Sequence, residues 1–307
     1  MTDAARTLGV LVLGGPTASG KTELALMLAE RFDAEIVGAD SRQIYRDMPI
    51  GTAAPSGAQR ARVPHHLIAF LDPRERYSAA RFALDALRAI EEATARNRRA
   101  IVVGGTGFYL RTLCGDVWLA GAQDPAVRAR LVRETQLHPP EILHAWLAAR
   151  APARAAGLAA GDRYRVVRAL EVALSAARPG APHAPVTTLR SAGLPFVKVA
   201  LDADPEELAF RIERRVDAML AEGFVAEAER LGGEAVAADA LGYQHALAYL
   251  RGWMTRAELR RLLVRATLRY AKRQRTWFRH EPGMRLLRSR DAFDQISGLA
   301  QESLGWN

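Results

Sequence analysis

The run with the clearest chemistry is Gly15-Pro16-Thr17-Ala18-Ser19-Gly20-Lys21-Thr22. Gly15 and Gly20, with four residues between them, let the backbone turn tightly, so that successive N–H groups and a helix N-terminus converge on an anion. Lys21 adds a point charge, and the Thr22 hydroxyl can hold a Mg²⁺ that bridges phosphate oxygens. The pattern specifies a phosphate or diphosphate cradle and leaves the reaction open. Asp40 heads a second run, Asp40-Ser41-Arg42-Gln43-Ile44-Tyr45, where a carboxylate can act as metal ligand, general base or helix N-cap. A second glycine run, Gly104-Gly105-Thr106-Gly107-Phe108-Tyr109, allows a ligand's close approach and offers the Thr106 hydroxyl.

The elements that must position these groups follow from periodicity. The apolar run Leu8 to Leu13 predicts a strand entering the cradle, and Glu23 to Phe32 an amphipathic helix leaving it. Ala34 to Ala39 reads as a short second strand. Ligands gather at the carboxyl ends of strands in open α/β sheets, so Asp40 is expected beside the cradle. Gly51-Thr52-Ala53-Ala54-Pro55 reads as loop and Val63 to Ile68 as a turn into another strand, with His65 and His66 packed or capping rather than bound to metal. Ser78 to Arg96 is helical, with Phe82, Leu84, Leu87 and Ile90 as its apolar positions, and Arg99 to Val103 is a buried parallel strand feeding the second glycine run.

From about Leu119 the composition shifts to Ala, Arg, Leu and Pro, and no strand is predicted before Phe196 to Ala200. Asp124 to Gln136, Pro139 to Arg150 and Asp162 to Ala177 read as short helices, and Arg178 to Thr187 as a flexible loop. An all-helical stretch inside an α/β chain is an inserted lobe, expected over the sheet's active edge. Arg128, Arg130, Arg133, Arg163, Arg165 and Arg168 make it a candidate nucleic-acid grip. Pro205 to Leu231 reads as one long helix carrying Arg211, Arg214 and Arg215, and Ala240 to Gln244 interrupts the next helical stretch. On the last long helix, Thr255 to Arg279, the side chains of Arg261, Arg265, Arg269, Lys272 and Arg279 fall within about 80° at about 100° per residue. Leu259, Leu263, Ala266, Tyr270 and Trp277 lie opposite, which gives an apolar stripe and a basic rail without paired acids. The expected organisation is an α/β, P-loop parallel-sheet core built from residues 1–118 and 193–307 around a helical lobe at 119–192.

The chain has 307 residues, and 43 basic against 34 acidic side chains give a net charge of +9. That balance favours a polyanionic partner, nucleic acid ahead of membrane. Cys114 is the single cysteine, which excludes an intramolecular disulfide and a cysteine-rich zinc site. With no signal-peptide pattern and no apolar run of bilayer length, a cytoplasmic location without membrane contact is expected.

Taken together the motifs resemble tRNA dimethylallyltransferases, the isopentenyl-transferase (IPP transferase) family. The resemblance rests on the cradle run, Asp40 to Tyr45, Gly51-Thr52-Ala53, Pro64-His65-His66-Leu67 and Val103-Gly104-Gly105-Thr106-Gly107. It continues through Arg168-Ala169-Leu170-Glu171-Val172, Gly242-Tyr243 and Ala271-Lys272-Arg273-Gln274, in family order over nearly the whole chain. It implies transfer of a dimethylallyl group from dimethylallyl diphosphate, with Mg²⁺, to N6 of the adenosine just 3′ of the anticodon in tRNAs that read codons beginning with U.

The resemblance also implies roles. Gly15 to Thr22 with Arg211 and Arg215 would bind the diphosphate, Thr22 the metal, and Lys21, Asp40 and Thr106 would be catalytic, with Asp40 as general base. Contacts to the tRNA anticodon stem-loop are implied for Asp40, Ser41, Arg42, Gln43, Thr106, Gln123, Tyr164, Arg165, Val166, Val167, Arg168, Ala240, Leu241, Gly242, Tyr243, Gln244 and His245. A monomer is expected. One departure stands out: many relatives carry Lys where this chain has Ala54. Two other readings share the cradle, a P-loop kinase of a small metabolite and a nucleic-acid-binding ATPase. The ATPase wants an acid at the Val102-Val103-Gly104-Gly105 strand end, and none is there.

Overall fold

A computed structural model describes residues 8–117, 124–176, 186–288 and 291–307. Gln123 and nearly all of the predicted Arg178–Thr187 loop lie outside the described residues. Two compact units are formed, Met1–Val117 with Thr187–Asn307, and Trp118–Val186.

The first unit opens with β1 (Val10–Gly14), α1 (Lys21–Arg31), β2 (Ala34–Gly38), the short α2 (Pro49–Thr52), α3 (Gly57–Arg62) and the two-residue β3 (His65–His66). It continues with α4 (Ala79–Ala95), capped by Ser78, then β4 (Arg99–Gly104) and α5 (Gly107–Cys114). The helical unit holds α6 (Pro125–Leu137), α7 (Pro140–Arg150), α8 (Pro152–Ala156) and α9 (Arg163–Ala176). It closes on its own core, in which Leu131, Leu143, Leu147, Val166 and Leu170 are buried. The first unit resumes with β5 (Phe196–Asp202), α10 (Pro205–Glu222), α11 (Phe224–Leu231), α12 (Tyr243–Leu250), α13 (Arg256–Arg279), β6 (Arg285–Arg288) and α14 (Ala292–Leu304).

The six strands form one sheet in the order β3-β2-β4-β1-β5-β6, every pair parallel. Helices cover both faces, which is why β1 is apolar without alternation. Val10 and Val12 pack with α4 and α5, while Leu11 and Leu13 pack with α1 and α14. Register places Gly14 opposite Gly104, and Gly38 opposite Val103, so the chain leaves β1, β2 and β4 at one edge. Cys114 ends α5, buried, and burial pushes its thiol up to about 12. Among the described residues no helix is long and apolar enough to cross a membrane.

Several local expectations change. Gly51 and Thr52 belong to α2 rather than to a loop, because Pro49 starts a single turn and the Thr52 hydroxyl bonds the Met48 carbonyl. Leu84 is 43% exposed; alanines at 83, 86 and 89 fill the α4 seam instead. The Pro205–Leu231 helix is two helices, broken where Gly223 takes φ 100° and caps α10. The strand expected after Val63 shrinks to His65–His66; the second glycine run passes into α5 at Gly107, and α3, α5, α8, β6 and α14 have no counterpart in the sequence reading. His66 Nε2 bonds Glu35 at 2.6 Å and His65 Nδ1 bonds the Val63 carbonyl at 2.7 Å, so both rings are packed within the chain.

Candidate active site

The cradle is built by backbone geometry at the end of β1. Gly15 takes φ 148°, and a Cβ there would lie 3.0 Å from the Ser19 hydroxyl and 3.3 Å from the Leu201 carbonyl. Gly20 takes φ 89° and starts α1, leaving the first helical N–H groups directed at the loop. The Pro16 carbonyl accepts from Ser19 N–H and from the Lys21 ammonium, the latter at 3.1 Å. Burial lowers the Lys21 pKa to about 8; the Asp40 carboxylate opposes the shift and Arg215 adds to it. The Ser19 hydroxyl is buried without a partner, and that of Thr22, on the first turn of α1, bonds none of the described residues. Hydroxyl oxygens beside a phosphate cradle are the hard donors that Mg²⁺ prefers, so this set fits the metal. Arg211 pairs with Glu207 and reaches the Ala18 carbonyl at 3.5 Å. Ala18 is held at φ 63°.

Asp40 emerges from β2 at the same edge. Its Oδ1 accepts from Arg42 N–H at 2.9 Å and Gln43 N–H at 3.4 Å, the bonds of a turn, while Oδ2 faces Gly105. No helix starts here, so the N-cap reading gives way to a turn closed by Oδ1, which leaves Oδ2 for the general-base reading. Thr106, after β4, accepts from Ser41 N–H at 2.9 Å and lies 3.3 Å from the Ser41 hydroxyl. Gln43 donates to the carbonyls of Thr52 and Ala53, and the half-buried Arg215 guanidinium also donates to the Thr52 carbonyl, with desolvation lowering its pKa. Lys21, Asp40, Thr106 and Arg215 thus gather at one sheet edge, within one unit. The structure gives no account of Ala54 beyond its amide, which bonds the Pro49 carbonyl.

Two buried polar side chains tie this arrangement together; Gln274 stood out in the sequence only as the end of the Ala271-Lys272-Arg273-Gln274 run, with no role, and Glu227 was not singled out. Gln274 of α13 bonds Thr17 N–H and the Gly105 carbonyl. Glu227 of α11 accepts from Ile50 N–H, Gly51 N–H and the Tyr243 hydroxyl, fixing the α2 turn whose last carbonyl Arg215 holds.

The residues expected to contact tRNA differ in burial and pairing. Tyr243 is fully buried and spends its hydroxyl on Glu227; Ala240 is buried, and Gly242, at φ 96°, packs on Leu263. Val166 lies in the core of the helical unit. Arg168 is paired with the buried Glu171. Arg42 is paired with Asp239. Val167 is half-buried in the helical unit, and Leu241 and His245 are half-buried in the other. Tyr164, at 78% exposure, and Arg165 stand at the start of α9, Arg165 pairing with Asp162, and Gln244 is exposed on α12. On α13 the five rail cations are all exposed, but Arg261 pairs with Glu258 and Arg279 with Asp202. Arg265, Arg269 and Lys272 have no ion pair among the described residues and form the reduced rail.

A parallel sheet with a glycine-loop phosphate cradle at its carboxyl edge, and a carboxylate beside that cradle, defines a P-loop type α/β protein. More specifically, the chain belongs to the IPP transferase family, whose match spans residues 43–281. It is 40% identical over 301 residues to a tRNA dimethylallyltransferase of Geobacter sulfurreducens, covering 96% of this chain and 97% of that one. It is 44% identical over 282 residues to one from Anaeromyxobacter sp., covering 90% and 93%. A crystal structure of the full-length tRNA isopentenylpyrophosphate transferase of Bacillus halodurans superposes with TM-score 0.70 at 33% identity, over 97% of each chain. A eukaryotic dimethylallyltransferase acting on tRNA gives TM-score 0.73 at 25% identity, over 95% of this chain and 77% of that one.

Proposed function

We propose that the protein is a tRNA dimethylallyltransferase: it moves a dimethylallyl group from dimethylallyl diphosphate to N6 of the adenosine 3′ of the anticodon. The observation that carries this reading is a phosphate cradle and a half-free carboxylate at adjoining strand ends, in a chain whose relatives bear that activity in their names. N6 is a weak nucleophile because its lone pair is delocalised into the ring. The cradle N–H groups, Lys21 and Arg215 lower the barrier from the other side by neutralising the charge that builds on the departing diphosphate. As the allylic C1–O bond breaks and the C1–N6 bond forms, N6 loses a proton, which Asp40 Oδ2 accepts. Thr106 orients the entering base by its hydroxyl. Mg²⁺, held at Thr22, would supply further charge neutralisation to the diphosphate. Anticodon-loop bases are unpaired, so bringing the adenine out costs at most a few kcal/mol.

The exposed cations Arg265, Arg269 and Lys272 and the arginines of the helical unit, Arg165 among them, would contact tRNA phosphates. A monomer acting on tRNA in the cytoplasm completes the reading. Incubation with labelled dimethylallyl diphosphate, unmodified tRNA and Mg²⁺ tests the reading. Label in tRNA at the adenosine 3′ of the anticodon is expected; ATP turnover without transfer would overturn it in favour of a kinase or ATPase.

A further inference from the structure

The last turns of α13 press side chains directly onto backbone at the site. A Cβ on Gly14 would come within 2.5 Å of the Phe278 ring, one on Gly107 within 2.1 Å of the Trp277 indole, and one on Gly105 within 2.4 Å of Gln274 Nε2. Phe278 is apolar filling, and Trp277 sets an indole N–H, buried without a partner among the described residues, against Gly107. Gln274 is an amide at 6% exposure, in a buried row otherwise made of Leu259, Leu263, Ala271 and Phe278. Burying an amide is costly unless both its ends are bonded, and here both are: Oε1 accepts from Thr17 N–H at 2.9 Å and Nε2 donates to the Gly105 carbonyl at 2.8 Å. Thr17 belongs to the phosphate cradle. Gly105 precedes Thr106, whose hydroxyl accepts from Ser41 N–H, the residue after Asp40. One side chain therefore joins the loop that would hold the donor to the loop that would hold the acceptor. Turning Thr17 N–H toward Gln274 also removes that donor from the cradle. Pro16 has none, and Ser19 N–H is spent on the Pro16 carbonyl. The donors left to an anion are concentrated at the start of α1.

We propose that Gln274 is a positioning residue for group transfer, fixing the span between the diphosphate cradle and the Gly105–Thr106 loop while touching neither substrate. The inference rests on the transferase reading of the same site. It predicts a loss in turnover without a loss in ground-state affinity, because a shift of about 1 Å between reactants costs on the order of 100-fold in rate. The test uses Gln274→Met, which keeps length and apolar bulk but makes neither bond, and Gln274→Glu, which keeps only the bond to Thr17. For both variants kcat should fall by on the order of 10–100-fold. The KM for tRNA and the Kd for inorganic diphosphate with Mg²⁺ should stay near wild type, with diphosphate binding somewhat tighter in Gln274→Met, where Thr17 N–H is released. Hydrogen exchange at the Thr17 amide should be slow in wild type and Gln274→Glu and fast in Gln274→Met.

Wild-type kcat in either folded variant would overturn the proposal. So would diphosphate affinity and melting temperature falling in step with kcat, since that pattern marks general damage. If the wild-type chain itself transfers no dimethylallyl group, the transferase reading fails; the clamp is then judged on Thr17 exchange, and equal exchange in wild type and Gln274→Met overturns it.

Discussion

Replacing Lys21 by methionine should make the ligand-free protein harder to unfold while it abolishes transfer. The ammonium sits among backbone and side chains that lower its pKa from 10.5 to about 8, chiefly by burial and against the pull of Asp40. Carrying the charge at neutral pH therefore costs the folded state about 3 kcal/mol. Methionine removes that cost and also one hydrogen bond, worth about 1 kcal/mol, although the Pro16 carbonyl keeps its bond from Ser19 N–H. The net gain is about 2 kcal/mol, or a rise of a few degrees in melting temperature for a chain of this size. The sign follows from linkage. With the folded pKa below the unfolded one, the cost is fully present below about pH 8 and vanishes as pH rises to 10.5. Urea unfolding of wild type and Lys21→Met should thus show a gap at neutral pH that closes towards the top of that window. Inorganic diphosphate with Mg²⁺ should stabilise the wild type far more than the variant, because the anion restores the missing counter-charge. Equal stability at neutral pH, or a gap that persists unchanged at high pH, would refute the reasoning.

Asp40→Ala should lower turnover by about 10²–10⁴-fold with tRNA binding retained, measured by single-turnover transfer beside filter binding; a near-normal rate would remove it from the base role. Replacing Arg265 and Arg269 together by alanine should weaken tRNA binding and reduce the slope of log K against log salt by about 1–2. An unchanged slope would reduce the exposed cations of α13 to a solvated face. Glu227→Gln should cost about 2–3 kcal/mol in urea unfolding, since an amide cannot accept from Ile50, Gly51 and Tyr243 at once.

The cradle was legible because its demands are local: glycine at two positive-φ positions, a lysine and a hydroxyl, all within one turn. Asp40 was legible from strand polarity, since whatever follows β2 must emerge beside whatever follows β1. Gln274 was visible only as the last residue of the Ala271-Lys272-Arg273-Gln274 run; its role was not, for its partners lie 257 and 169 residues away. Glu227 was hidden likewise, one acid in a charged helical run. The Gly242-Tyr243 pair has a structural role that the sequence did not show. Gly242 brings the backbone close to Leu263, and Tyr243 gives its hydroxyl to Glu227. The basic rail shrank for two reasons: Asp202 reaches Arg279 from the end of β5, which only the fold reveals, and Glu258 pairs with Arg261 one turn along α13, a local i, i+3 pairing.

The lone thiol offers a practical opening. Cys114 is shut inside α5 and ionises only near pH 12, so alkylating reagents at ordinary pH should pass it by. A cysteine introduced at Arg265 or Tyr164 would be the single accessible handle on the polypeptide. Dyes or photo-crosslinkers could then be installed on the natural background to chart where an RNA ligand runs, with no pre-emptive removal of native residues.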